Sequence, residues 1–245
     1  GVGSIGFTLA ALLGGLLVYD SFTYHSLSIQ EPIHPSINES VRGGPENRPI
    51  LLNKEAETGA PRKERLVIVG GGWGAVSLLN RLDPDLYEVT LISPTNYFLF
   101  TPLLPAVTVG TVGAGSVTES LRRILQKCQG QFVQGAGRNL YLRDELDSKT
   151  RELTDYAPGL LEVEVISDKW DGSIEKPHEV NKDKIVYVPY DKLVVAVGCV
   201  SNDFGAKGLE HAHRLKCMHD ATQLRKNILE NLSLIHISEP TRRTP

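Results

Sequence analysis

Three small residues follow a short apolar run at the spacing of a dinucleotide-binding turn. The run Leu66–Val69 leads directly into GGGWGA, where Gly70, Gly72 and Ala75 form the pattern GxGxxA. In that pattern the first glycine permits a tight turn, the second lets the backbone approach a pyrophosphate, and the third small residue lets a helix pack closely on a strand. The N-terminus of such a helix offers free N–H groups and a positive dipole end to the phosphates. These residues therefore predict a phosphate-binding turn.

The segments around the glycines have the pattern of a β-α-β unit. The run Leu66–Val69 predicts a strand that is buried on both faces and ends at about residue 70. Apolar residues then recur at helical spacing over residues 73–82, and Glu88–Ile92 predicts a second strand. This context favours dinucleotide binding over the alternative, a glycine-rich turn that binds no ligand.

The second predicted strand lacks the acidic residue that often follows at this point. It ends Ile92-Ser93-Pro94, where many dinucleotide folds have an Asp or Glu that binds a ribose hydroxyl. On the residues alone, the choice between NAD and FAD therefore stays open.

Two longer stretches of the chain have distinctive sequences. The first is SPTNYFLFTPLLP, which begins at Ser93, together with the adjoining AVTVGTVGAGSVTESLR. The second begins YDKLVVAVGCVSNDFG at Tyr190. Both stretches resemble the type II, or alternative, NADH:quinone oxidoreductases, with the best fit to the external-type mitochondrial forms of fungi. The similarity covers about residues 65–231, with a divergent middle. The family usually has Arg where this chain has Thr95.

This resemblance implies an α/β, Rossmann-like FAD/NAD(P)-binding fold from a flavoprotein with two dinucleotide-binding domains. Residues 64–231 would form the N-terminal part of the FAD-binding domain, and the NADH site would lie outside this chain. The implied cofactor is FAD, and the implied substrates of the parent protein are NADH and ubiquinone, with no proton pumping. The resemblance also implies the mitochondrial inner membrane, on the intermembrane-space side, and is compatible with a homodimer. Neither a catalytic acid or base nor a metal ligand is assigned.

The residues expected near FAD come from four parts of the chain: the glycine turn, the stretch after the second strand, the third strand and the last strand. They are Gly70, Gly72, Trp73, Gly74, Ala75, Ser93, Pro94, Phe98, Thr101, Pro102, Ala136, Ala196, Val197 and Gly198.

For two of these groups of residues, a purely structural role is the alternative to contact with FAD. The aromatic residues Trp73, Phe98 and Phe100 are expected to form a wall of the cofactor site, but they could be core residues. The run Asp191–Gly198 predicts a buried strand closed by a small residue that lets a loop approach the cofactor, although a glycine also simply ends strands.

The remaining segments predict further parts of the fold. Ser116–Glu119 has the pattern of a capping box that opens a helix, and Phe132-Val133 starts a third strand. Residues 140–190 alternate short strand-like runs with polar turns and predict a small antiparallel excursion. The buried stripe expected of the helix consists of Val117, Leu121, Ile124, Leu125 and Cys128.

The N-terminal region has a different composition. Residues 1–19 carry no charged side chain and would span roughly 28 Å as a helix, which predicts a transmembrane segment over residues 1–20; a signal-peptide core and a buried helix are the alternatives. Because no Lys or Arg follows until Arg42, the positive-inside rule places the downstream side away from the matrix or cytoplasm. Residues 21–63 are polar and lack apolar periodicity, which predicts a disordered linker.

The C-terminal residues look foreign to the rest of the chain. LSLIHISEPTR, residues 232–242, resembles the translation of a sequencing adapter and matches nothing in the oxidoreductase family. We therefore expect residues 232–245 to be a non-native tail in which Leu234, Ile235 and Ile237 pack poorly. The only methionine is Met218, so the chain is expected to be a fragment or a processed form.

Composition and cysteine spacing limit the other classes of function. The chain has 245 residues, 41% of them hydrophobic and 22% charged, and its net charge of −3 gives no basic face for nucleic acid. Cys128, Cys199 and Cys217 form no CxxC pair, which disfavours a disulfide reductase, and their spacing with nearby histidines fits no zinc pattern. The remaining alternatives are a sulfide:quinone or ferredoxin-type reductase, and an inactive membrane-tethered FAD-binding fragment.

Overall fold

The computed structural model describes residues 41–51, 63–154, 157–166, 185–202 and 204–237. The strands are β1 (Val41–Arg42), β2 (Pro49–Ile50), β3 (Glu64–Val69), β4 (Tyr87–Ser93), β5 (Tyr97–Leu99), β6 (Thr118–Ser120), β7 (Gln131–Leu142), β8 (Gly159–Val165), β9 (Ile185–Tyr190) and β10 (Lys192–Val195). The α-helices are α1 (Trp73–Leu79), α2 (Leu104–Val109), α3 (Leu121–Gln126), α4 (Ser148–Leu153) and α5 (Met218–Ile237).

Eight strands form one mixed sheet in the order β1-β2-β9-β8-β7-β4-β3-β10. The pairs from β10 through β3 and β4 to β7 are parallel, whereas β7, β8 and β9 form an antiparallel meander. Strand β7 belongs to both parts of the sheet. Its residues 131–134 pair in parallel with β4, and from Gly135 onward it pairs antiparallel with β8. The predicted Rossmann-like sheet and its antiparallel excursion are thus both confirmed.

Strands β3 and β4 are buried on both faces because different elements cover each face. Leu66 and Ile68 of β3 point toward the helices, while Val67 points toward the meander, as the alternation of side chains along a strand requires. The helix side is filled mainly by Ala75, Leu79, Leu121 and Leu125, and the meander side by Leu161, Val163, Val186, Val188 and Tyr190. This arrangement explains why β3 is a continuous apolar run.

The predicted β-α-β unit is confirmed, with one difference at the end of its helix. Helix α1 ends at Leu79, three residues before the predicted end at 82. The N–H of Arg81 donates to the carbonyl of Leu78, three residues earlier, at 2.9 Å, so the helix ends in a tighter turn. Pro84 also disfavours a helical conformation at Asp83.

The predicted capping box at Ser116–Glu119 is wrong. Residues 118–120 form strand β6, in which Glu119 lies opposite Phe98 of β5, and helix α3 begins only at Leu121. Strand β5 supplies backbone partners that compete with helix formation at this point, a tertiary contact that local sequence does not encode. The predicted stripe is nevertheless buried, and its members are Val117, Leu121, Ile124, Leu125 and Cys128.

The predicted linker over residues 21–63 is wrong for residues 41–51, which join the sheet. Ile50 is fully buried and pairs with Tyr187 of β9, and Leu51 is 8% exposed. Two adjacent apolar residues thus outweigh the polar composition around them. The rest of the predicted linker, apart from residue 63 at its end, and the apolar segment at 1–20 lie outside the described residues. Within the described part of the chain, none of the helices has the length and apolar character that a membrane crossing requires.

Helix α5 packs on α2 and continues past the predicted end of the native sequence. Ala221 is fully buried between the two helices, and the guanidinium group of Arg225 lies against Gly110 at the end of α2. The helix reaches Ile237, and Leu232 is half exposed. The side chains after Leu232 lie outside the description, so poor packing of the tail stays a prediction.

A buried ion pair joins the amino ends of β3 and β10. The Arg65 side chain donates to both carboxylate oxygens of Asp191 at 3.1 Å, and its backbone N–H donates to the same carboxylate at 2.8 Å. A third donor of the guanidinium group reaches the carbonyl of Thr154 at 3.1 Å. The two side chains are only 7% and 18% exposed, so this bidentate pair is weakly screened by water.

We expect Asp191→Asn to destabilise the fold by about 3 kcal/mol, because it leaves the buried Arg65 charge without its partner. Urea unfolding followed by circular dichroism measures the change. Lys192→Gln is the matched control, since the adjacent Lys192–Glu64 pair is exposed and its removal should leave the stability almost unchanged. Equal losses in the two variants would contradict the structural role of the buried pair.

Candidate dinucleotide-binding site

The glycine turn lies where the parallel strands end. Strand β3 ends at Val69, helix α1 begins at Trp73, and Gly70–Gly72 connect them. The ends of β4 and β10 lie at the same edge of the sheet, as does the end of the part of β7 that pairs with β4, residues 131–134, because these segments are parallel to β3 or to its neighbour. Ligands of open α/β sheets bind in the crevice outside this edge.

The ends of β3, β4 and β10 meet at Gly70. Its N–H donates to the carbonyl of Ile92 at 2.7 Å, and the N–H of Ala196 donates to the carbonyl of Val69 at 2.7 Å. Gly70 has a φ of 109°, and a Cβ on it would lie 2.3 Å from the carbonyl oxygen of Ala196. Only glycine satisfies both conditions, so the predicted tight turn is present.

Gly72 has the opposite surroundings. No atom lies within 4 Å of the point where its Cβ would stand, so the backbone there faces open space. Gly72 is also the N-cap of α1, with extended backbone angles. Ala75 is fully buried against the sheet, as the third position of the pattern requires. A ligand phosphate could therefore approach the backbone at Gly72 without meeting a side chain.

Sequence reasoning missed the role of Gly71. A Cβ there would lie 2.5 Å from Leu121 Cδ1 and 2.8 Å from Ser93 Oγ, so this position is as tightly packed as Gly70. By contrast, a Cβ on Gly74 would meet Ala196 at an ordinary 3.6 Å. The pattern GxGxxA gives no signal for Gly71, because its contacts come from α3 and β4.

The end of β4 carries neutral polar groups instead of a carboxylate. Ser93 is 1% exposed, and its hydroxyl lies 3.3 Å from that of Thr95, which donates to the carbonyl of Tyr97. The amide of Gln134, on β7, donates to the carbonyl of Pro94 at 3.3 Å. Ser93 is thus buried beneath the glycine turn, and Gln134 is a further residue at this edge that the sequence did not single out.

An aromatic cluster lies beside the turn. The ring of Trp73 contacts Phe98 edge-on at 5.0 Å and Phe100 at 5.2 Å between centroids, and its indole N–H donates to the hydroxyl of Thr101 at 3.3 Å. Trp73 is 50% exposed and Phe100 is 40% exposed, so neither is a core residue, whereas Phe98 packs partly on the core. Pro102 follows in the 3-10 helix Thr101–Leu103. The cluster therefore offers an exposed flat surface next to the glycine turn.

The predicted burial of the strand over residues 191–198 is wrong. Within the described residues β10 pairs only with β3, and Val195 and Val197 are each 66% exposed. An apolar run identifies the strand but not its position at the edge of the sheet. Gly198 follows with a φ of 75° and has no atom within 4 Å of its Cβ position. Ala196, by contrast, lies directly against the glycine turn.

Ala136 lies on β7 just past the point where that strand leaves the parallel sheet. It is opposite Glu164 of β8, between two glycines. A Cβ on Gly135 would lie 2.6 Å from the carbonyl oxygen of Glu164, and one on Gly137 would lie 3.4 Å from Val69 Cγ1, at the end of β3. The stretch 135–137 is therefore packed close to the glycine turn.

The cysteines and the possible metal ligands of the described residues form neither a disulfide nor a cluster of metal ligands. All three cysteines are free, and burial raises the pKa of the Cys128 and Cys217 thiols. Within the same part of the chain, no group of three or more His, Cys, Asp or Glu side chains could hold a metal ion.

Comparison with known proteins identifies the family. The sequence profile described as "Pyridine nucleotide-disulphide oxidoreductase" matches residues 64–236. The chain belongs to this family. Its fold agrees, since the structure of NDH2 from Plasmodium falciparum in complex with NADH superimposes with a TM-score of 0.56 and 32% sequence identity. That match covers 74% of this chain and 31% of the Plasmodium chain.

Curated relatives of the chain are named as mitochondrial NADH- or NAD(P)H-ubiquinone oxidoreductases. The external alternative NAD(P)H-ubiquinone oxidoreductase B3 of Arabidopsis thaliana is 37% identical over 81% of this chain. The external alternative NADH-ubiquinone oxidoreductase of Yarrowia lipolytica is 35% identical over 69% of it. These matches cover 31% and 26% of the relatives, so the chain spans less than a third of their length. The resemblance to type II enzymes is thus confirmed as a similarity over this part.

We expect Gly70→Ala to destabilise the fold by about 3 kcal/mol or more, since the new Cβ meets backbone atoms and the positive φ strains any other residue. Gly72→Ser is the comparison: serine is a favourable N-cap and its side chain enters open space, so the stability should change by less than about 1 kcal/mol. Chemical unfolding of both variants measures the difference. Similar losses would contradict the distinct surroundings of the two glycines.

Proposed function

We propose that this chain is the N-terminal part of the FAD-binding domain of a type II NADH:ubiquinone oxidoreductase. The observation that carries the proposal is the turn Gly70–Gly72, whose backbone faces open space at the carboxyl ends of the parallel strands. Phosphates are bound by clustered backbone N–H groups that no side chain obstructs. The relatives' names support the quinone and NADH parts of the proposal.

The residues present fit FAD in three places. The diphosphate would contact the backbone of Gly70–Gly72, and the adenosine would lie along Ala136. The exposed faces of Trp73 and Phe100 and the backbone after Ala196 would border the flavin half, because aromatic faces favour contact with flat rings. The remaining residues expected near the cofactor would line these three regions, and the buried side chains of Ser93 and Ala75 would support them from below.

The protein's own contribution would be binding and orientation. The chemistry that FAD supplies in such an enzyme is acceptance of a hydride from NADH and delivery of two electrons to a quinone. Ala75 and Ser93, both buried, would hold the turn in place, and the Trp73–Thr101 hydrogen bond would fix the aromatic surface beside it.

The whole activity would require the rest of the polypeptide. The chain spans less than a third of its relatives, and the proposed NADH fold lies outside it. The relatives are named as external and mitochondrial, which supports a place at the inner membrane facing the intermembrane space. Residues 1–20 would supply the membrane segment of this arrangement.

We expect the purified chain to bind FAD, and Gly72→Ser to weaken that binding at least about tenfold, because its side chain fills the space proposed for a phosphate. Titration followed by flavin fluorescence measures the affinity. Gly115→Ser is the matched control, since Gly115 also borders open space but lies outside the turn. Absence of FAD binding by the unaltered chain, or equal affinity in Gly72→Ser, would contradict the proposal.

We also expect the 245-residue chain to lack NADH:quinone turnover even with FAD added. Hydride transfer needs the nicotinamide held at about 3–3.5 Å from the flavin, and the fold proposed to hold it is not part of this chain. The assay follows NADH absorbance with a soluble quinone, beside a full-length relative. Turnover within about an order of magnitude of that relative would show that the fragment interpretation is wrong.

A further inference from the structure

Strand β7 contains a bulge directly after the proposed adenosine-binding stretch. Gly137 pairs with Val163 and Leu140 pairs with Leu161, so β7 has one more residue than β8 over this interval. The two residues inside the bulge are Arg138 and Asn139. A bulge redirects side chains relative to a regular strand, and here both of these side chains reach carboxylates of β8.

The bulge residues pair with two buried acids. Arg138 donates to Glu164 through Nε at 2.8 Å and through a second guanidinium nitrogen. Asn139 donates to Glu162 at 3.2 Å, and the hydroxyls of Tyr141 and Tyr187 donate to the same carboxylate at 3.0 and 3.2 Å. Both carboxylates are therefore hydrogen-bonded, Glu162 by neutral donors and Glu164 by the charged guanidinium group of Arg138.

The Arg138–Glu164 pair is sensitive to the loss of one member. The Glu164 side chain is 5% exposed and that of Arg138 is 32% exposed, so the arginine covers the carboxylate. Removal of one charged partner from a buried carboxylate is strongly unfavourable, whereas removal of both charges of a pair is often tolerated. Removal of Arg138 alone breaks the contact between the bulge of β7 and Glu164, and we therefore expect β8 to shift.

A shift of β8 would displace the backbone that lies beside the proposed cofactor site. Glu164 lies opposite Ala136, and its carbonyl oxygen is the backbone atom that a Cβ on Gly135 would meet. Gly137, on the other side of Ala136, packs on the last residue of β3, from which the glycine turn continues. The ion pair is thus placed to set the spacing of β7 and β8 beside Ala136.

We propose that Arg138 and Glu164 are positioning residues for the adenosine half of the bound dinucleotide. This role rests on the proposed function, because it presumes that a dinucleotide lies between the glycine turn and Ala136. The pair acts through the backbone of residues 135–137, while the diphosphate half depends on Gly70–Gly72. The two halves of the ligand should therefore respond differently to the same substitution.

The test compares ADP, which contains the adenosine and the diphosphate, with inorganic pyrophosphate, which contains only the latter. Both are titrated as competitors of FAD bound to the purified 245-residue chain. In Arg138→Met we expect the dissociation constant of ADP to rise at least about tenfold and that of pyrophosphate to stay within about twofold. In Arg138→Met/Glu164→Gln, which removes both charges, ADP affinity should recover to within about threefold of the unaltered chain.

Two further variants keep the result interpretable. Arg138→Lys retains the charge but loses the two-pronged contact, so it should fold and weaken ADP by a smaller factor even if Arg138→Met does not fold. Lys192→Met breaks an exposed ion pair between β10 and β3 at the opposite edge of the sheet and should leave both affinities unchanged.

Three outcomes would overturn the positioning role. They are unchanged ADP affinity in Arg138→Met and Arg138→Lys, equal losses for ADP and pyrophosphate, and no recovery in the double variant. If the unaltered chain bound neither FAD nor ADP, the proposed function itself would fail, and the positioning role with it. That result differs from a failure of the positioning role alone, in which the unaltered chain binds both ligands.

Discussion

The close approach of Gly70 to Ala196 is the constraint on which the rest of the site depends. The backbone after β3 passes so near the end of β10 that a Cβ on Gly70 would meet the carbonyl oxygen of Ala196 at 2.3 Å. This contact turns the chain sharply over the edge of the sheet and starts α1 at once. It also leaves the backbone at Gly72 facing open space. The open backbone at Gly72 is therefore a consequence of how two strands pack.

Arginine–carboxylate pairs hold the strands at both edges of the parallel sheet. Arg65 and Asp191 join β3 to β10 at the amino ends, and Arg138 and Glu164 join β7 to β8 just beyond the carboxyl ends. Burial makes each pair costly to break by removal of one partner. Such pairs specify a particular alignment of neighbouring strands more strongly than apolar contacts do, since a shifted alignment would leave a buried charge unpaired. The alignment of β7 with β8, just beyond the carboxyl ends of the parallel strands, is the one that lies beside the proposed ligand.

Local pattern predicted the part of the fold in which neighbours in sequence are also neighbours in space. The apolar run of β3, the glycines and the helical spacing after Trp73 all lie within one β-α-β unit, and they were predicted from residue type alone. The wrong predictions concern distant partners. Thr118 forms a strand because β5 lies beside it, Ile50 is buried because it pairs with β9, and Val195 is exposed because β10 pairs only with β3 among the described residues. Gly71 was missed for the same reason, since α3 and β4 make its position tight.

The proposal that the backbone of Gly70–Gly72 binds the diphosphate of a dinucleotide is tested most directly at the amides of the turn. Labelling with 13C and 15N makes these amides visible by NMR, and triple-resonance experiments assign them without a substitution at the tightly packed Gly71. On titration with FAD, the amide signals of Gly71 and Gly72 should shift strongly, and that of Gly115, at a distance from the turn, should stay in place. Saturable FAD binding that moves glycine signals elsewhere but leaves those of the turn unchanged would contradict the proposed site.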